Sequence, residues 1–522
     1  MIKVEKYFWW TDEQKRFADE VEEFSRENAH RMAEEIWTRE VPQDLLEEVR
    51  KRGWFGALIP KEYDGMGLGC TGSCLLVEEL IDVVGGLFTT TAFGGAHQIL
   101  HSGTEEQKER WLPKIARGEL IGAICLTEPL LGSDAAGVET TARREGDEYV
   151  INGKKRFTTN LGYADIYLVY TRTSDKPEDI KARRHLTAFI VEKGTPGFTI
   201  EKINELCVFD PPVLNGYLDF DEVRVPAANV IGGEGNAFMD VMVRGLNFER
   251  LLVSAQTLGG MRTSLINAVY VTKRRIQFGR RTIDFESNQF RIADMIMNLK
   301  LARLMTYYSA YLVDRGMDPF LETTLLKVFA AEALSKTASD AVQCMGGDGV
   351  TKFYPAEAVM RSVKMAEIGA GSSDVMRQLL ARLATRYLTG LMLEELEEPR
   401  RRIHPNLGVP VPVFALGQMK PKFTSKDSEG KVLEALAEDY RVNPGLYMTR
   451  EDLEEDTELT GEDLDKALVS LEAEGLVKLY RIRDIIRLAK ATYKGLKKAK
   501  PKQYYRWFPE WVKTEPERYP IF

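Results

Sequence analysis

The segment from Ile124 to Asp134 carries residue types suited to binding a flat ring with polar edges. It reads Ile-Cys-Leu-Thr-Glu-Pro-Leu-Leu-Gly-Ser-Asp. The apolar start predicts the end of a strand, and the Pro and Gly that follow predict a loop with free backbone donors. Such a loop can hydrogen-bond a ring through main-chain N–H groups and the hydroxyls of Thr127 and Ser133. An ordinary junction between a strand and a turn has the same pattern, so both interpretations stay open at this point.

The length and composition predict a multidomain globular protein. A chain of 522 residues is too long for one compact core, and 44% hydrophobic and 29% charged residues are ordinary proportions. The formal net charge of -8 gives no reason to expect nucleic acid as a partner. No apolar run approaches the ~20 residues that span a bilayer, so we expect no membrane insertion.

The cysteines predict neither a disulfide framework nor a metal site. They are scattered and include no Cys-x-x-Cys pair, which favours reduced thiols. The first ten residues are neither a secretory signal nor an Arg/Ser-rich transit peptide, and this predicts a cytoplasmic protein. The five cysteines are Cys70, Cys74, Cys125, Cys207 and Cys344.

Three successive regions differ in their apolar periodicity. Residues 1–120 are mostly helical in pattern, and Thr11 caps a first helix that opens with acidic residues. Residues 121–235 alternate between short apolar runs and turn signals such as Asn152-Gly153, which predicts an antiparallel β-domain. Residues 236–395 return to helical periodicity. The clearest helical segments run over Gln43 to Arg52, Asn288 to Tyr308 and Thr323 to Ala341.

A smaller unit follows a linker. Residues 396–427 are irregular and contain several prolines, and residues 428–522 hold a separate domain and a tail that begins at Pro501 and is rich in aromatic residues. The pattern of this domain is similar to a winged-helix module. Its predicted elements are three helices over Lys431 to Tyr440, Arg450 to Leu459 and Gly461 to Leu471, then a turn into a strand over Gly475 to Tyr480.

The charge of this unit argues against DNA binding. Glu462 and Asp463 begin the helix that would enter a groove, and Glu472 and Glu474 follow it. Acids at these positions would repel phosphates. The basic cluster over 494–502 is of a kind that is usually solvated. We therefore expect this unit to bind another protein or to stabilise an oligomer.

Over roughly residues 5 to 393, the chain resembles the acyl-CoA dehydrogenases. The resemblance rests on the loop described first and on four further motifs: Lys-Arg-Phe-Thr-Thr-Asn at 155–160, Arg-Ile-Gln-Phe-Gly at 275–279, the glycine-rich Gln-Cys-Met-Gly-Gly-Asp-Gly at 343–349, and Glu-Ile-Gly-Ala-Gly-Ser-Ser-Asp-Val at 367–375. It implies an α+β multidomain fold, with an N-terminal helical domain, a central antiparallel β-domain and a C-terminal helical bundle, here followed by the winged-helix-like domain. It also implies FAD as cofactor, an acyl-CoA substrate, an electron-transfer flavoprotein as electron acceptor, and a homotetramer.

The resemblance implies a set of FAD contacts in separated motifs. Phe157 stands where the family more often has Trp, and Arg275 matches the residue that reaches the pyrophosphate of a neighbouring subunit's FAD. Glu286 replaces the usual Gln near the adenosine. Each of these motifs also has a structural alternative. Phe157 could be a buried aromatic in a strand, and Arg275 could be a surface arginine. Residues 343–349 could be a helix end with a flexible turn. The full set is Ile124, Leu126, Thr127, Gly132, Ser133, Phe157, Thr158, Thr159, Arg275, Glu286, Gln343, Cys344, Met345, Gly346, Gly347, Ser372, Ser373 and Asp374.

The catalytic base is the point where this chain departs from most of the family. Ala370 stands where most acyl-CoA dehydrogenases have the glutamate that removes the substrate's α-proton, and a methyl group cannot accept a proton. The isovaleryl-CoA and long-chain subfamily places its base within Gly-Leu-Asp-x-Glu-Arg, and this chain has Gly-Leu-Asn-Phe-Glu-Arg at 245–250. The resemblance therefore implies Glu249 as the base. Glu367 is a rival, and the non-catalytic alternative is that Glu249 is a surface acid paired with Arg250 or a nearby lysine.

These residues predict α,β-dehydrogenation of an acyl-CoA to a 2-enoyl-CoA. The reaction needs a base on one face of the acyl chain and a hydride acceptor on the other, and an apolar pocket raises the pKa of a carboxylate toward the working pH. An oxygen-using acyl-CoA oxidase and a non-catalytic scaffold are the alternatives. The residues that the resemblance implies for substrate binding are Ser133, Asn247, Arg250, Ala370 and Gly371.

Overall fold

The computed structural model describes residues 6–29, 31, 43–81, 94–204, 206, 215–383, 423–442, 447–482 and 484–499. Two compact units divide the chain, one over Met1–Ala384 and one over Thr385–Phe522. Within the described residues, no helix is long and apolar enough to cross a membrane. Cys207, most of the predicted linker and the tail from Pro501 lie outside the described residues.

The first unit opens with helices, as the sequence predicts. The Thr11 side chain accepts a hydrogen bond from the Gln14 amide, and the Gln14 side chain accepts one from the Thr11 amide. This reciprocal cap satisfies two backbone donors that a helix start would otherwise leave free. The helices are α1 (Asp12–Asn28), α2 (Gln43–Lys51), α3 (Gly69–Leu80), α4 (Ala96–Ser102) and α5 (Glu105–Ala116).

A twisted sheet follows, in the order β6-β7-β3-β2-β4-β5-β8, with β1 paired to β4. The prediction of an antiparallel domain holds for most pairs, but β1 and β2 both run parallel to β4, with Gly122 opposite Ile166 and Thr141 opposite Arg172. The hairpin of β2 and β3 lies between these two strands in the chain, so β4 returns in the direction of β1. The strands are β1 (Gly122–Cys125), β2 (Thr141–Glu145), β3 (Glu148–Thr159), β4 (Ile166–Arg172), β5 (Leu186–Glu192), β6 (Phe198–Ile203), β7 (Asn215–Pro226) and β8 (Val230–Ile231), with the short helix α6 (Pro177–Lys181) before β5.

A helical bundle completes the first unit. A π-helix over Ala237–Val243 leads directly into α7 (Arg244–Arg274). Helix α7 packs against α3 and against the later long helices, and one apolar core joins the N-terminal helices to the bundle. The helices predicted over Asn288 to Tyr308 and Thr323 to Ala341 lie within observed ones. The remaining elements are the hairpin β9 (Ile276–Gln277) and β10 (Arg280–Arg281), α8 (Glu286–Asp314), α9 (Phe320–Met345), α10 (Ala356–Ile368) and α11 (Ser373–Leu383).

Charged side chains buried in this core connect α3 to the bundle. Glu78 on α3 pairs with Arg303 on α8 and accepts a hydrogen bond of 2.7 Å from the Tyr307 hydroxyl. The next residue, Glu79, pairs with Arg262 on α7. Because buried charges require partners of this kind, the network holds α3 and α7 in one register.

The second unit has its own apolar core and a three-stranded sheet in the order β11-β13-β12. Its order of elements, helix, strand, two helices and two strands, is that of a winged helix. The three predicted helices are present, although the second ends at Thr457. The elements are α12 (Ser428–Val442), β11 (Met448–Thr449), α13 (Arg450–Thr457), α14 (Gly461–Ala473), β12 (Val477–Ile482), β13 (Ile485–Ala491) and α15 (Tyr493–Ala499).

Candidate active site

A pocket of about 550 Å³ lies in the first unit. The loop after β1, the end of β3, the π-helix, the first turns of α7 and the start of α11 form its walls. This volume is in the usual range for a site that encloses a small organic ligand. The predicted site residues that line it are Ile124, Leu126, Thr127, Gly132, Ser133, Phe157, Thr159, Glu249, Arg250, Ala370 and Gly371.

A buried ion pair holds the loop that forms one wall. The Lys155 ammonium donates to Glu128 Oε1 at 2.7 Å and to the Leu126 carbonyl at 3.2 Å. The Glu128 carboxylate also accepts hydrogen bonds from the Glu139 and Thr140 amides, at 2.7 and 2.9 Å. Both ends of the loop are therefore attached to one charged pair that is almost fully buried, with Lys155 0% and Glu128 3% exposed.

The pairing determines how this carboxylate ionises. Burial alone would raise the pKa of Glu128, but Lys155 and the hydrogen-bond donors outweigh burial and lower it. Burial lowers the pKa of Lys155, and the Glu128 charge opposes this shift. The sequence alone could not predict this pair. The two residues lie 27 positions apart, and the residues around each of them form no pattern that indicates the other.

An irregularity in β3 directs an aromatic ring toward the pocket. The pairing register with β7 shifts between Arg156 and Thr158, and Phe157 has a φ of 57°. Arg156, Phe157 and Thr159 all line the pocket, whereas Thr158 is buried behind it. Since Phe157 is 46% exposed, the alternative of a buried strand aromatic is wrong. β-Bulges next to active sites commonly redirect a side chain in this way.

Glu249, on α7, also lines the pocket. Desolvation raises the pKa of Glu249, and only the charge of Arg250 works against this shift. Arg250 itself donates to the Asn247 side chain at 2.9 Å and to the Ala370 carbonyl at 3.3 Å. Within the described residues, Glu249 makes no hydrogen bond or ion pair, so the alternative of a surface acid paired with Arg250 or a nearby lysine does not describe it.

The turn at Ala370 faces the same pocket. Ala370 has a φ of 53° and Gly371 a φ of 97°, and a side chain on Gly371 would meet Met376 at 2.6 Å. The hydrogen bond from Arg250 to the Ala370 carbonyl holds this turn against α7. This bond therefore fixes the position of the turn relative to Glu249, the residue before Arg250, although more than a hundred residues separate them in the chain.

Glu367, the rival base, points elsewhere. Its carboxylate accepts hydrogen bonds from Ser335 and from Lys364, the latter at 2.6 Å, and it does not line the pocket. Burial works to raise the pKa of Glu367, but Lys364 and Ser335 outweigh burial and lower it. A paired carboxylate outside the pocket is poorly placed to remove a substrate proton.

Some predicted cofactor residues lie outside the pocket in this single chain. Arg275 donates to the Met345 carbonyl at 3.2 Å, so the Arg275 motif and the glycine-rich motif at 343–349 come together away from the pocket. Glu286 begins α8, and Asn247 is buried on α7. The predicted residues that do not line the pocket are Thr158, Asn247, Arg275, Glu286, Gln343, Cys344, Met345, Gly346, Gly347, Ser372, Ser373 and Asp374.

Comparison with known proteins identifies the first unit. Residues 11–119, 123–223 and 238–385 match the models of the N-terminal, middle and C-terminal domains of acyl-CoA dehydrogenases. An acyl-CoA dehydrogenase of Bacillus subtilis (strain 168) is 36% identical over 385 residues, which are 73% of this chain and 99% of that protein. None of the three matched models extends beyond residue 385.

Two solved structures are similar over the same region. Butyryl-CoA dehydrogenase from Megasphaera elsdenii is 32% identical with a TM-score of 0.68, over 73% of this chain and 100% of that one. A chain from a structure described as the electron transferring flavoprotein of Acidaminococcus fermentans is 35% identical with a TM-score of 0.69. That match covers 73% of this chain and 100% of the other.

Proposed function

The chain belongs to the acyl-CoA dehydrogenase family, and we propose that Glu249 is the base with which it oxidises its substrate. As a member of this family, it is an FAD-dependent oxidoreductase that acts on the CH–CH group of an acyl-CoA. The observation that supports Glu249 most directly is its position in the pocket wall without a hydrogen bond or ion pair within the described residues.

The pocket has the features that a flavin requires. The exposed ring of Phe157 offers a stacking surface, and Thr127, Ser133 and Thr159 place hydroxyls along the same wall. The bulge at Phe157 is a strained feature that leaves an apolar ring about half exposed, and a flat ligand would cover the exposed part. When bound, FAD supplies the group that accepts the hydride from the substrate's β-carbon.

The remaining roles belong to side chains and backbone of this protein. Glu249 would accept the α-proton, since desolvation raises its pKa and makes it a stronger base than an exposed carboxylate. The turn at Ala370 and Gly371 would supply a backbone N–H to the thioester carbonyl, whose oxygen gains charge as the proton leaves. Arg250 would position that turn, because it donates to the Ala370 carbonyl.

Rapid anaerobic mixing of the holoenzyme with an acyl-CoA tests this assignment. Substrate should bleach the flavin absorbance of the wild type, and Glu249→Gln should lose about 10²–10⁴-fold in the rate, the usual contribution of general-base catalysis. Glu367→Gln is the matched control and should react at a rate near that of the wild type. A wild-type rate in Glu249→Gln, with FAD still bound, would refute the assignment.

The acyl group and the electron acceptor require direct assays. A panel of straight, branched, aromatic, alicyclic and dicarboxylic CoA thioesters should rank the substrates by the rate of bleaching. We propose an electron-transfer flavoprotein as acceptor, and the likeness to a chain from an electron transferring flavoprotein structure supports this choice. Rapid reoxidation by oxygen with release of peroxide would instead favour an acyl-CoA oxidase.

We propose a homotetramer, in which a partner subunit brings its Arg275 motif to the FAD. Two observations support this assembly: the Arg275 motif lies outside the pocket of its own chain, and one face of α8 is apolar and exposed. Sedimentation of the holoenzyme should give four times the chain mass. The exposed large hydrophobic side chains of α8 are Phe290, Ile296, Met297, Leu301, Leu304 and Tyr308.

We propose a cytoplasmic location. Cys70, Cys74, Cys125 and Cys344, the cysteines in the described part of the chain, are buried and form no disulfide. Free thiols suit a reducing compartment. Recovery of the protein from a secreted fraction would contradict this proposal.

We also propose that the second unit recognises a protein and not DNA. Glu462 and Asp463 are exposed at the start of α14, the helix that a winged helix uses to enter a groove. Acids there oppose phosphate binding. Retention of the full chain on DNA at physiological salt, in a manner that weakens with salt, would contradict this proposal.

A further inference from the structure

Two neighbouring cations on β3 have opposite environments. Lys155 points into the protein, where Glu128 neutralises its charge. Arg156 points the other way and lines the pocket. Its guanidinium lies over the ring of Phe157, 4.2 Å from the centroid, and 5.3 Å from the ring centroid of Tyr217 on β7.

Arg156 retains unused donors in this position. Its Nε is enclosed and has no acceptor, and Nη1 has one long contact of 3.5 Å to the Pro129 carbonyl. No carboxylate forms an ion pair with Arg156 among the residues that the structure describes. An arginine that is fixed by aromatic rings and lacks an anion is prepared for a negatively charged or electron-rich ligand.

The bulge explains why this cation and the ring of Phe157 share the pocket. In a regular strand, successive side chains point to opposite faces, so Arg156 and Phe157 would be separated. The register shift and the positive φ of Phe157 turn both toward the same cavity. The Arg156 amide also donates to the Thr127 carbonyl at 2.7 Å, which joins this point of β3 to the opposite loop.

We infer that Arg156 is the charge partner of the flavin ring system: its positive charge stabilises the negative charge that the ring gains on reduction, and so raises the midpoint potential of the bound FAD. This inference rests on the FAD site of the proposed function. It assigns to Arg156 a role in setting how readily the cofactor takes electrons. The phosphates of FAD are the other anion that could meet this guanidinium, and the experiment separates the two.

The test is the midpoint potential of the bound flavin, measured by spectroelectrochemical titration of the holoenzyme without substrate. Arg156→Met and Arg156→Gln should shift the potential to more negative values, and Arg156→Lys should stay close to the wild type. Lys154→Met is the matched control, since Lys154 lies two positions before Arg156 and pairs with Glu201 at 2.8 Å outside the pocket. Its potential should not change.

A wild-type potential in Arg156→Met with FAD bound would overturn the inference. Weaker FAD binding with an unchanged potential would assign Arg156 to the phosphates, and would also overturn it. If Arg156→Met releases its FAD, the midpoint potentials of the Gln and Lys variants decide: the inference requires a more negative potential in Gln than in Lys, and equal potentials refute the role of charge. The titration uses no substrate, so it stays informative if Glu249 is not the base.

Discussion

Two carboxylates of this site differ in their partners: Glu128 holds the loop that forms one wall of the pocket, and Glu249 lines the pocket from α7. Glu128 is 3% exposed and is bonded to Lys155 and to two backbone amides, and its pKa is lowered. Glu249 lines the pocket and forms no ion pair among the described residues, and desolvation raises its pKa although the Arg250 charge opposes this shift. Desolvation acts on both, so the partners decide the direction of the shift.

The difference separates a structural acid from a candidate base. A carboxylate with a buried cation and two N–H donors stays ionised and holds segments together, because removing any partner leaves a charge in an apolar environment. A carboxylate that only a pocket surrounds can exchange a proton with a ligand. Glu367 belongs with Glu128, since Lys364 and Ser335 bind it outside the pocket.

Removal of the buried cation should have the largest effect on stability. Lys155→Met leaves Glu128 charged and without its cation, and should lower the free energy of unfolding by about 3–5 kcal/mol. Denaturant unfolding of the holoenzyme, followed by tryptophan fluorescence and by FAD release, measures this loss. The double variant Glu128→Gln with Lys155→Met should recover part of it. A loss below about 1 kcal/mol would place the pair among ordinary surface contacts.

Moving the carboxylate from position 249 to position 370, where most of the family has its base, should restore part of the rate of flavin reduction. We expect Glu249→Gln with Ala370→Glu to reduce its flavin about 10-fold faster than Glu249→Gln alone, a part of the ~10²–10⁴-fold of general-base catalysis. Ala370 lines the same pocket, so a glutamate there can reach the same ligand. The comparison is stopped-flow bleaching of both variants with one acyl-CoA. No gain in the double variant would show that a glutamate at position 370 cannot remove the substrate proton that Glu249 removes.

The two carboxylates should also titrate in separate pH ranges. The raised pKa of Glu249 predicts a bleaching rate that increases with pH above the ordinary carboxyl range of about 4.3. The lowered pKa of Glu128 predicts stability that is present above that range and is lost as pH falls through its lower folded value. Rate and unfolding profiles on one holoenzyme preparation test both. If the bleaching rate and the stability changed over the same pH range, the pKa values of Glu249 and Glu128 would not be shifted in opposite directions.

The smallest effect should come from the neighbouring surface pair. The Lys154 ammonium lies 2.8 Å from the Glu201 carboxylate and both side chains are about half exposed, so Lys154→Met should leave the free energy of unfolding close to the wild-type value. The same denaturant experiment as for Lys155→Met provides the measurement. An equal loss of unfolding free energy in Lys154→Met and Lys155→Met would show that burial does not determine how much each ion pair stabilises the protein.

Local sequence patterns were sufficient for much of the fold. The cap at Thr11 depends on residues three positions apart, and the helical segments within α8 and α9 depend on a period of 3.6 residues. The acid in 245–250 stands out because its motif is contiguous. The comparisons confirm the family that these motifs indicated, with FAD as its cofactor. The winged-helix-like order of the second unit was also visible from short periodic segments.

Tertiary structure alone decided which charges meet. No pattern near Glu128 indicates Lys155, and no pattern near Glu367 indicates that Ser335 would bind it. The bulge that turns Phe157 and Arg156 into one pocket depends on the register with β7, a strand that lies some sixty residues away. A residue's own neighbours in the chain determine its helix or strand, because those interactions span a few residues. Its burial and its partners come from distant segments, and these set whether a glutamate is a structural anion or a base.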